Sequence, residues 1–194
     1  MNILKKLSDL DIEIICSLHG PVFRTKEDIQ ACIKKYQTWG SYTPENDEVV
    51  IYSGSVYGHT EEFATLLATL LARRGVRNTK VYDISSIDVS YLLSEAFRAK
   101  VLVFAASSYN GGIFTPMENF LMDLVAHNFQ NRDVFVVENG SWALTAGKGM
   151  REIIGQLKKV NIAEETISIK SLLKDVQYAD AVAMADKIVE DLKK

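Results

Sequence analysis

A hydroxyl-rich segment between residues 53 and 60 is the part of the sequence best suited to bind a ligand. It contains Ser53, Ser55, Val56, Tyr57, His59 and Thr60, and no Lys or Arg. Gly54 and Gly58 let the backbone approach a ligand closely, and a helix starting here would aim unpaired N–H groups at the same point. Because the Gly-Lys-Ser/Thr ending of a triphosphate loop is missing, the segment predicts a site for one phosphate monoester.

Two later segments have the composition of binding loops. The first contains Ser107, Ser108, Tyr109, Asn110 and Gly111, and the second contains Asn139, Gly140, Ser141 and Trp142. Taken singly, the aromatic residues could cap a core, and the segment 53–60 could be a plain strand-to-helix turn. Together, the three segments predict a planar ring held between aromatic side chains and backbone amides, with a phosphate at one end.

The hydrophobic pattern from residue 48 onward predicts five strands that alternate with five helices. We place the strands near 48–53, 78–83, 100–106, 132–138 and 165–170, and the helices near 60–74, 88–98, 115–127, 147–159 and 176–192. This alternation predicts a doubly wound α/β fold with a parallel five-stranded sheet in the order 2-1-3-4-5. Ligands bind such sheets beyond the carboxyl ends of the strands, where the three segments lie.

The first 46 residues differ in pattern from the rest of the chain. They contain a short helical pattern at 3–10, a strand-like run at 12–16 and an amphipathic helix at 25–39 with Thr25 as its N-cap. A polar segment with a proline follows at 41–47 and indicates a linker. We therefore predict an N-terminal α/β extension, residues 1–46, followed by one domain, residues 47–194.

The composition excludes several classes of function. A net charge of −3 and an isoelectric point near 5.7 give no basic field for nucleic acid. No apolar run is long enough to span a bilayer, and no secretory signal is present, so we predict a cytoplasmic protein without a membrane partner. Cys16 and Cys32 lie in apolar patterns and are expected to be buried thiols.

The three binding segments together resemble those of the flavodoxin-like FMN-binding domain of A-type flavoproteins, the flavodiiron proteins. The run from Ser55 to Thr60 resembles that family's phosphate loop, although His59 stands where the family usually has Asn. The runs 107–112 and 139–142 resemble the loops on either side of the flavin ring. The resemblance covers residues 48–194 and implies a flavodoxin-like fold, non-covalently bound FMN and electron transfer to a redox partner protein.

The N-terminal extension resembles the end of the metallo-β-lactamase-like domain that precedes the flavodoxin-like domain in flavodiiron proteins. The run 15–22, Ile-Cys-Ser-Leu-His-Gly-Pro-Val, carries this resemblance, which maps an iron ligand of the family onto His19. The remaining ligands of the family are missing from the sequence. One imidazole cannot hold a di-iron centre, so we expect no metal site in this chain.

Other functions compete with the redox carrier. An FMN-dependent NAD(P)H oxidoreductase is the main alternative, although no separate nucleotide motif is present. A dinucleotide-binding domain would use Asp83 at the end of the second strand, but its third glycine is missing. A phospho-receiver module needs acidic residues where Ser53 and Ser107 stand, so we reject it. Donor, acceptor and the formation of a homodimer are left open.

Overall fold

The computed structural model describes residues 10–193, which form two compact units that divide between Pro44 and Glu45. The helical pattern predicted at residues 3–10 falls, apart from its last residue, outside the described range. No helix in the described range combines the length and apolar composition that crossing a membrane requires.

The first unit contains a two-stranded antiparallel ribbon and one helix. Strands β1 (Ile15–Cys16) and β2 (Val22–Phe23) pair with each other, and helix α1 covers Lys26–Gly40. Thr25 caps α1 as predicted, because its Oγ1 accepts a hydrogen bond from the Asp28 amide at 3.1 Å. The second strand of the ribbon was not predicted from the sequence.

The expectation that both cysteines are buried is wrong. Cys16 is exposed and Cys32 is partly exposed. Within this unit only Ile29 of the described residues is a buried apolar side chain. A unit of this size has too little chain to enclose more than a few side chains, so an apolar pattern here does not imply burial.

The second unit is a parallel sheet with helices on both faces. Its strands are β3 (Val49–Gly54), β4 (Thr79–Asp83), β5 (Val101–Tyr109), β6 (Gly112–Ile113), β7 (Gln130–Asn139) and β8 (Lys158–Ile169). Its helices are α2 (His59–Arg73), α3 (Val89–Arg98), α4 (Thr115–Ala126), α5 (Ala146–Ile154) and α6 (Asp175–Leu192). The strand order β4-β3-β5-β7-β8 confirms the predicted order 2-1-3-4-5. Each neighbouring pair in this order is parallel, as predicted.

The last strand is longer than predicted. It begins at Lys158 rather than near 165, and α5 ends at Ile154 rather than near 159. An irregularity in the pairing between Val134 and Val136 accommodates extra residues of β8. β8 lies at the edge of the sheet, where exposed polar residues interrupt the apolar pattern on which the prediction depended.

Two apolar clusters fix the sheet between its helices. Successive strand residues alternate between the faces, so Tyr52 and Phe104 pack with α3, α4 and α5, while Ile51 and Val103 pack with α2 and α6. All four side chains are fully buried. The strands are therefore held rigidly on both sides, and the loops at their carboxyl ends start from fixed positions.

Candidate functional site

A cavity of about 540 Å³ lies at the carboxyl ends of β3, β5 and β7. It brings together three segments that are distant in sequence. The predicted site residues that line it are Ser55, Val56, Tyr57, His59, Thr60, Ser107, Ser108, Tyr109, Asn110, Gly111, Asn139, Gly140, Ser141 and Trp142. Its volume lies in the range of small-molecule and cofactor sites.

Two predicted site residues do not line the cavity. Ser53 lies inside β3 at 1% exposure, and its hydroxyl is enclosed with no hydrogen-bond partner among the described residues. Gly58 precedes α2 with a φ of 90°, and its amide donates to the Ser55 Oγ at 2.9 Å. Glycine suits this left-handed conformation, so Gly58 shapes the loop instead of facing the cavity.

The start of α2 forms the hydroxyl-rich end of the cavity. Thr60 is fully buried in the first turn of α2, and its Oγ1 lies 3.1 Å from the Ser107 Oγ. No Lys, Arg, Asp or Glu is among the residues that line the cavity. The helix N-terminus therefore supplies the favourable field for an anion, and hydroxyl groups supply donors beside it.

The segment predicted as a long loop after the third strand is instead a hairpin. β5 continues through Tyr109, turns at Asn110 and Gly111, and returns as β6. Both turn residues have positive φ, 49° and 74°, as a type I′ turn requires. Asn110 and Gly111 therefore line the cavity as the two central residues of a hairpin turn.

The third segment is tied to the connection between β8 and α6. Asn139 donates from Nδ2 to the Ser171 carbonyl at 3.1 Å and accepts at Oδ1 from the Ser171 amide at 3.1 Å. The Ser141 Oγ accepts from the Ser171 hydroxyl at 2.8 Å. Because both atoms of the Asn139 amide bond to Ser171, this side chain positions the loop.

Aromatic side chains stand exposed around the cavity mouth. Trp142 is fully exposed, Tyr57 is 89% exposed and Tyr109 is 47% exposed, and all three line the cavity. Exposed aromatic groups that cluster around a concave site are typical of ligand or partner recognition. Their flat faces suit a planar ring better than a branched ligand.

The sequence prediction missed three residues that line the cavity: Ala143, Thr145 and Ser171. Thr145 donates from its amide to the Ser108 Oγ at 3.0 Å and from its hydroxyl to the Gly112 carbonyl at 3.1 Å. A Thr directly before a helical pattern was a signal for Thr145. Ser171 follows the fifth strand, so sheet topology alone placed it at the same edge.

Asp83 does not line the cavity, and its carboxylate is occupied. It accepts hydrogen bonds from the Ser85 amide at 2.9 Å and the Ser85 hydroxyl at 2.6 Å. Burial acts to raise the pKa of Asp83, but the hydrogen bonds from Ser85 outweigh it and hold that pKa below its ordinary value. These contacts leave little support for a ribose-binding acid and for the dinucleotide interpretation.

A larger groove, of about 920 Å³, lies between β8 and α6. None of the predicted site residues, all of which are described, lines it. Its lining includes the exposed acidic residues Glu164 and Glu165, together with Asp180, and it lacks the exposed aromatic rings of the first cavity. We therefore place the candidate site at the carboxyl-end cavity.

Metal-ligating side chains do not cluster in the part of the chain that the structure describes. No group of three or more His, Cys, Asp and Glu residues within residues 10–193 lies close enough to hold a metal ion. His19 is exposed.

Comparison with known proteins decides the fold. No family model matches the sequence. An uncharacterized protein of Methanocaldococcus jannaschii is 28% identical over 171 residues, which cover 86% of this chain and 42% of that protein. A flavodoxin from the domain Archaea aligns with a TM-score of 0.65 and 18% identity, covering 76% of this chain and 99% of that one. The fold is flavodoxin-like.

The flavodoxin-like chain also resembles part of a larger protein. The flavodiiron protein from Giardia intestinalis aligns with a TM-score of 0.87 and 18% identity, covering 99% of this chain and 48% of that chain. At the level of the fold, this confirms the resemblance predicted from the loops. The chain spans less than half the length of the Methanocaldococcus and Giardia proteins.

Proposed function

We propose that this chain is an FMN-binding electron-transfer flavoprotein whose cofactor lies in the carboxyl-end cavity. One observation carries the proposal: a hydroxyl-lined helix N-terminus and a set of exposed aromatic side chains meet in a single cavity. The flavodoxin-like and flavodiiron relatives support FMN as the cofactor and electron transfer as its use.

The phosphate end of FMN fits the start of α2. Ser55 and Thr60 offer hydroxyl groups there, and no Asp or Glu is among the residues that line the cavity. Hydrogen bonds to an ionised phosphate are among the stronger ones in proteins. One helix N-terminus suits one phosphate, which favours FMN over FAD.

The flavin ring fits the aromatic end of the cavity. Trp142 and Tyr109 offer faces for stacking, and Gly140 permits the loop to turn tightly beside them. Bound FMN would supply the redox chemistry, taking up and giving up electrons. The surrounding residues would bind and orient the ring and exclude water from its faces, while the turn at Asn110 and Gly111 would present backbone groups to its edge.

We assign residues 1–46 to the end of a metallo-β-lactamase-like domain and residues 47–194 to the FMN-binding domain. The chain would hold no di-iron centre of its own, since His19 is the sole residue at a family ligand position. It would act in the cytoplasm and pass electrons to a separate redox partner or to a metal-bearing domain.

The experiment is an absorption spectrum of the purified protein, followed by mass spectrometry of the released cofactor. We expect flavin bands at roughly 375 and 450 nm and release of FMN. Release of FAD, or no uptake of FMN by flavin-free protein, contradicts the proposal. Rapid loss of the flavin bands on anaerobic addition of NAD(P)H alone favours the oxidoreductase alternative.

A further inference from the structure

His59 is the basic side chain that lines the cavity. It begins α2, and 36% of its side chain is exposed. The other lining residues carry no formal charge at neutral pH. The resembled family usually has an uncharged Asn here, so this chain has a titratable group where that family has none.

We propose that His59 makes binding of the FMN phosphate depend on pH. At mildly acidic pH the imidazolium would donate a charge-assisted hydrogen bond to the phosphate, and at alkaline pH this bond would weaken. The inference rests on the proposed function, because it requires that a phosphate occupies the start of α2. Its physical basis is that imidazole changes charge between about pH 5 and pH 8.

Two carboxylates of α2 lie in the same helical turn as His59. The His59 Nδ1 lies 3.5 Å from the Glu62 Oε2, and Glu61 also belongs to the first turn. The Nε2 atom makes no hydrogen bond within the described chain, so it is available to a ligand. Since both carboxylates would repel a phosphate, a protonated imidazole beside them offsets that repulsion where a neutral Asn cannot.

No other side chain that lines the cavity would become positively charged at mildly acidic pH. Tyr57 and Tyr109, which line the cavity, are titratable but carry no charge at neutral pH. The connection to α6 brings Lys170, Lys174 and Asp175 near Ser171, yet none of the three lines the cavity. His59 is therefore the residue through which mildly acidic pH would change the charge of the lining.

The test compares the protein with the variant His59→Asn across the range in which imidazole titrates. Dissociation constants for FMN and for riboflavin are measured by flavin fluorescence from about pH 8 to about pH 5.5. The free phosphate also titrates, near pH 6. Dividing the FMN affinity of the protein by that of the variant at each pH removes this common contribution.

We expect that ratio to rise about tenfold or more toward acidic pH, the equivalent of one hydrogen bond to a charged group. The corresponding ratio for riboflavin should stay constant, because riboflavin has no phosphate. The matched control Lys170→Gln removes a cation outside the cavity and should behave as the unmodified protein does.

Three results overturn the inference. The first is an FMN ratio that stays constant across pH, the second is a riboflavin ratio that rises together with the FMN ratio, and the third is loss of the rise in Lys170→Gln. Each of these outcomes assigns the effect to something other than His59 and the phosphate. Such results leave FMN binding itself intact. Failure of the unmodified protein to bind FMN at every pH contradicts the proposed function instead, so the two failures are distinguishable.

Discussion

The carboxylate of Glu138 caps α5: its Oε2 accepts a hydrogen bond from the Gly147 amide at 2.8 Å. Its Oε1 accepts from the Ser168 hydroxyl at 2.8 Å. One buried carboxylate thus joins β7, β8 and α5 directly before the loop that carries Trp142. A Cβ on Gly147 would lie 2.8 Å from the carboxylate carbon, so this close approach requires glycine.

Replacing Glu138 should destabilise the second unit. Glu138→Ala leaves the Gly147 amide without its acceptor in a buried place, and we expect a loss of about 2–3 kcal/mol in the free energy of unfolding. Glu138→Gln is the matched control, because it keeps one acceptor oxygen and should lose less. Urea unfolding of both variants is the measurement. Equal losses would show that the charge of Glu138 matters and its hydrogen bond does not.

Removing the hydroxyl groups at the start of α2 should weaken phosphate binding. Ser55→Ala and Thr60→Ala should each weaken FMN binding by about 1–3 kcal/mol and leave riboflavin binding nearly unchanged. Isothermal titration with both ligands measures the difference. Thr69→Ala is the matched control on the same helix, since Thr69 is exposed and bonds to the Thr65 carbonyl of α2. A parallel loss of riboflavin affinity would mean that these residues do not bind phosphate.

Replacing Trp142 should change the redox and fluorescence properties of the bound flavin without weakening the binding of its phosphate. We expect Trp142→Ala to shift the reduction potentials and to increase flavin fluorescence, because a stacked indole excludes water and quenches emission. The preference for FMN over riboflavin should persist. Trp39→Ala, in the first unit, serves as the control. If potentials and fluorescence do not change in Trp142→Ala, the indole does not stack on the ring.

The turn at Gly140 should not tolerate a side chain. A Cβ there would lie 2.3 Å from the Ala143 carbonyl oxygen, so Gly140→Ala must displace the loop backbone. We expect affinity for both FMN and riboflavin to fall, since the ring end of the cavity is distorted. Gly112→Ala is the control, because its Cβ would lie 3.7 Å from the Tyr109 carbonyl oxygen, an ordinary contact. Unchanged affinities in Gly140→Ala would exclude this loop from the flavin site.

The chain alone should not reduce oxygen or nitric oxide at a metal centre. A di-iron centre needs several His and carboxylate ligands, and the resemblance maps His19 alone onto a ligand position of flavodiiron proteins. Metal analysis of protein purified without chelator should find no stoichiometric iron, and the reduced flavoprotein should not turn over nitric oxide under anaerobic conditions. Stoichiometric iron with rapid turnover would point to a site shared between subunits.

Much of the fold and of the cavity lining followed from the sequence, because the loops after parallel strands must meet at one edge. That rule brought Thr60, Tyr109 and Trp142 together without any knowledge of distances. It also applies to Ser171, but the run 170–174 contains neither the glycines nor the aromatic residues that mark the other binding loops. The Asn110-Gly111 pair is itself typical of a type I′ hairpin, although the sequence prediction treated the segment as a loop.

Other features depend on packing that a local pattern does not contain. Ser53 looks like a loop hydroxyl in the sequence, but two flanking strands enclose it. The start of β8 is set by pairing with β7, and exposed residues such as Glu164 hide that pairing from a hydrophobic pattern. The apolar surroundings of Cys16 in the sequence likewise indicated burial, which requires a covering layer and not only apolar neighbours.

The paired hydrogen bonds between Asn139 and Ser171 link cofactor affinity to the assembly of the whole sheet. Ser171 follows the last strand, so the cavity wall is complete only after β8 has joined β7. A ligand that binds this wall binds the fully folded chain and not a partly unfolded form, and it therefore stabilises the folded chain. By mass action, flavin at a hundred times its dissociation constant would add about 2.7 kcal/mol to the stability of the folded chain. The thermal midpoint should therefore rise with flavin concentration, and the flavin-free protein would be the form most exposed to proteolysis at its C-terminal strand and helix.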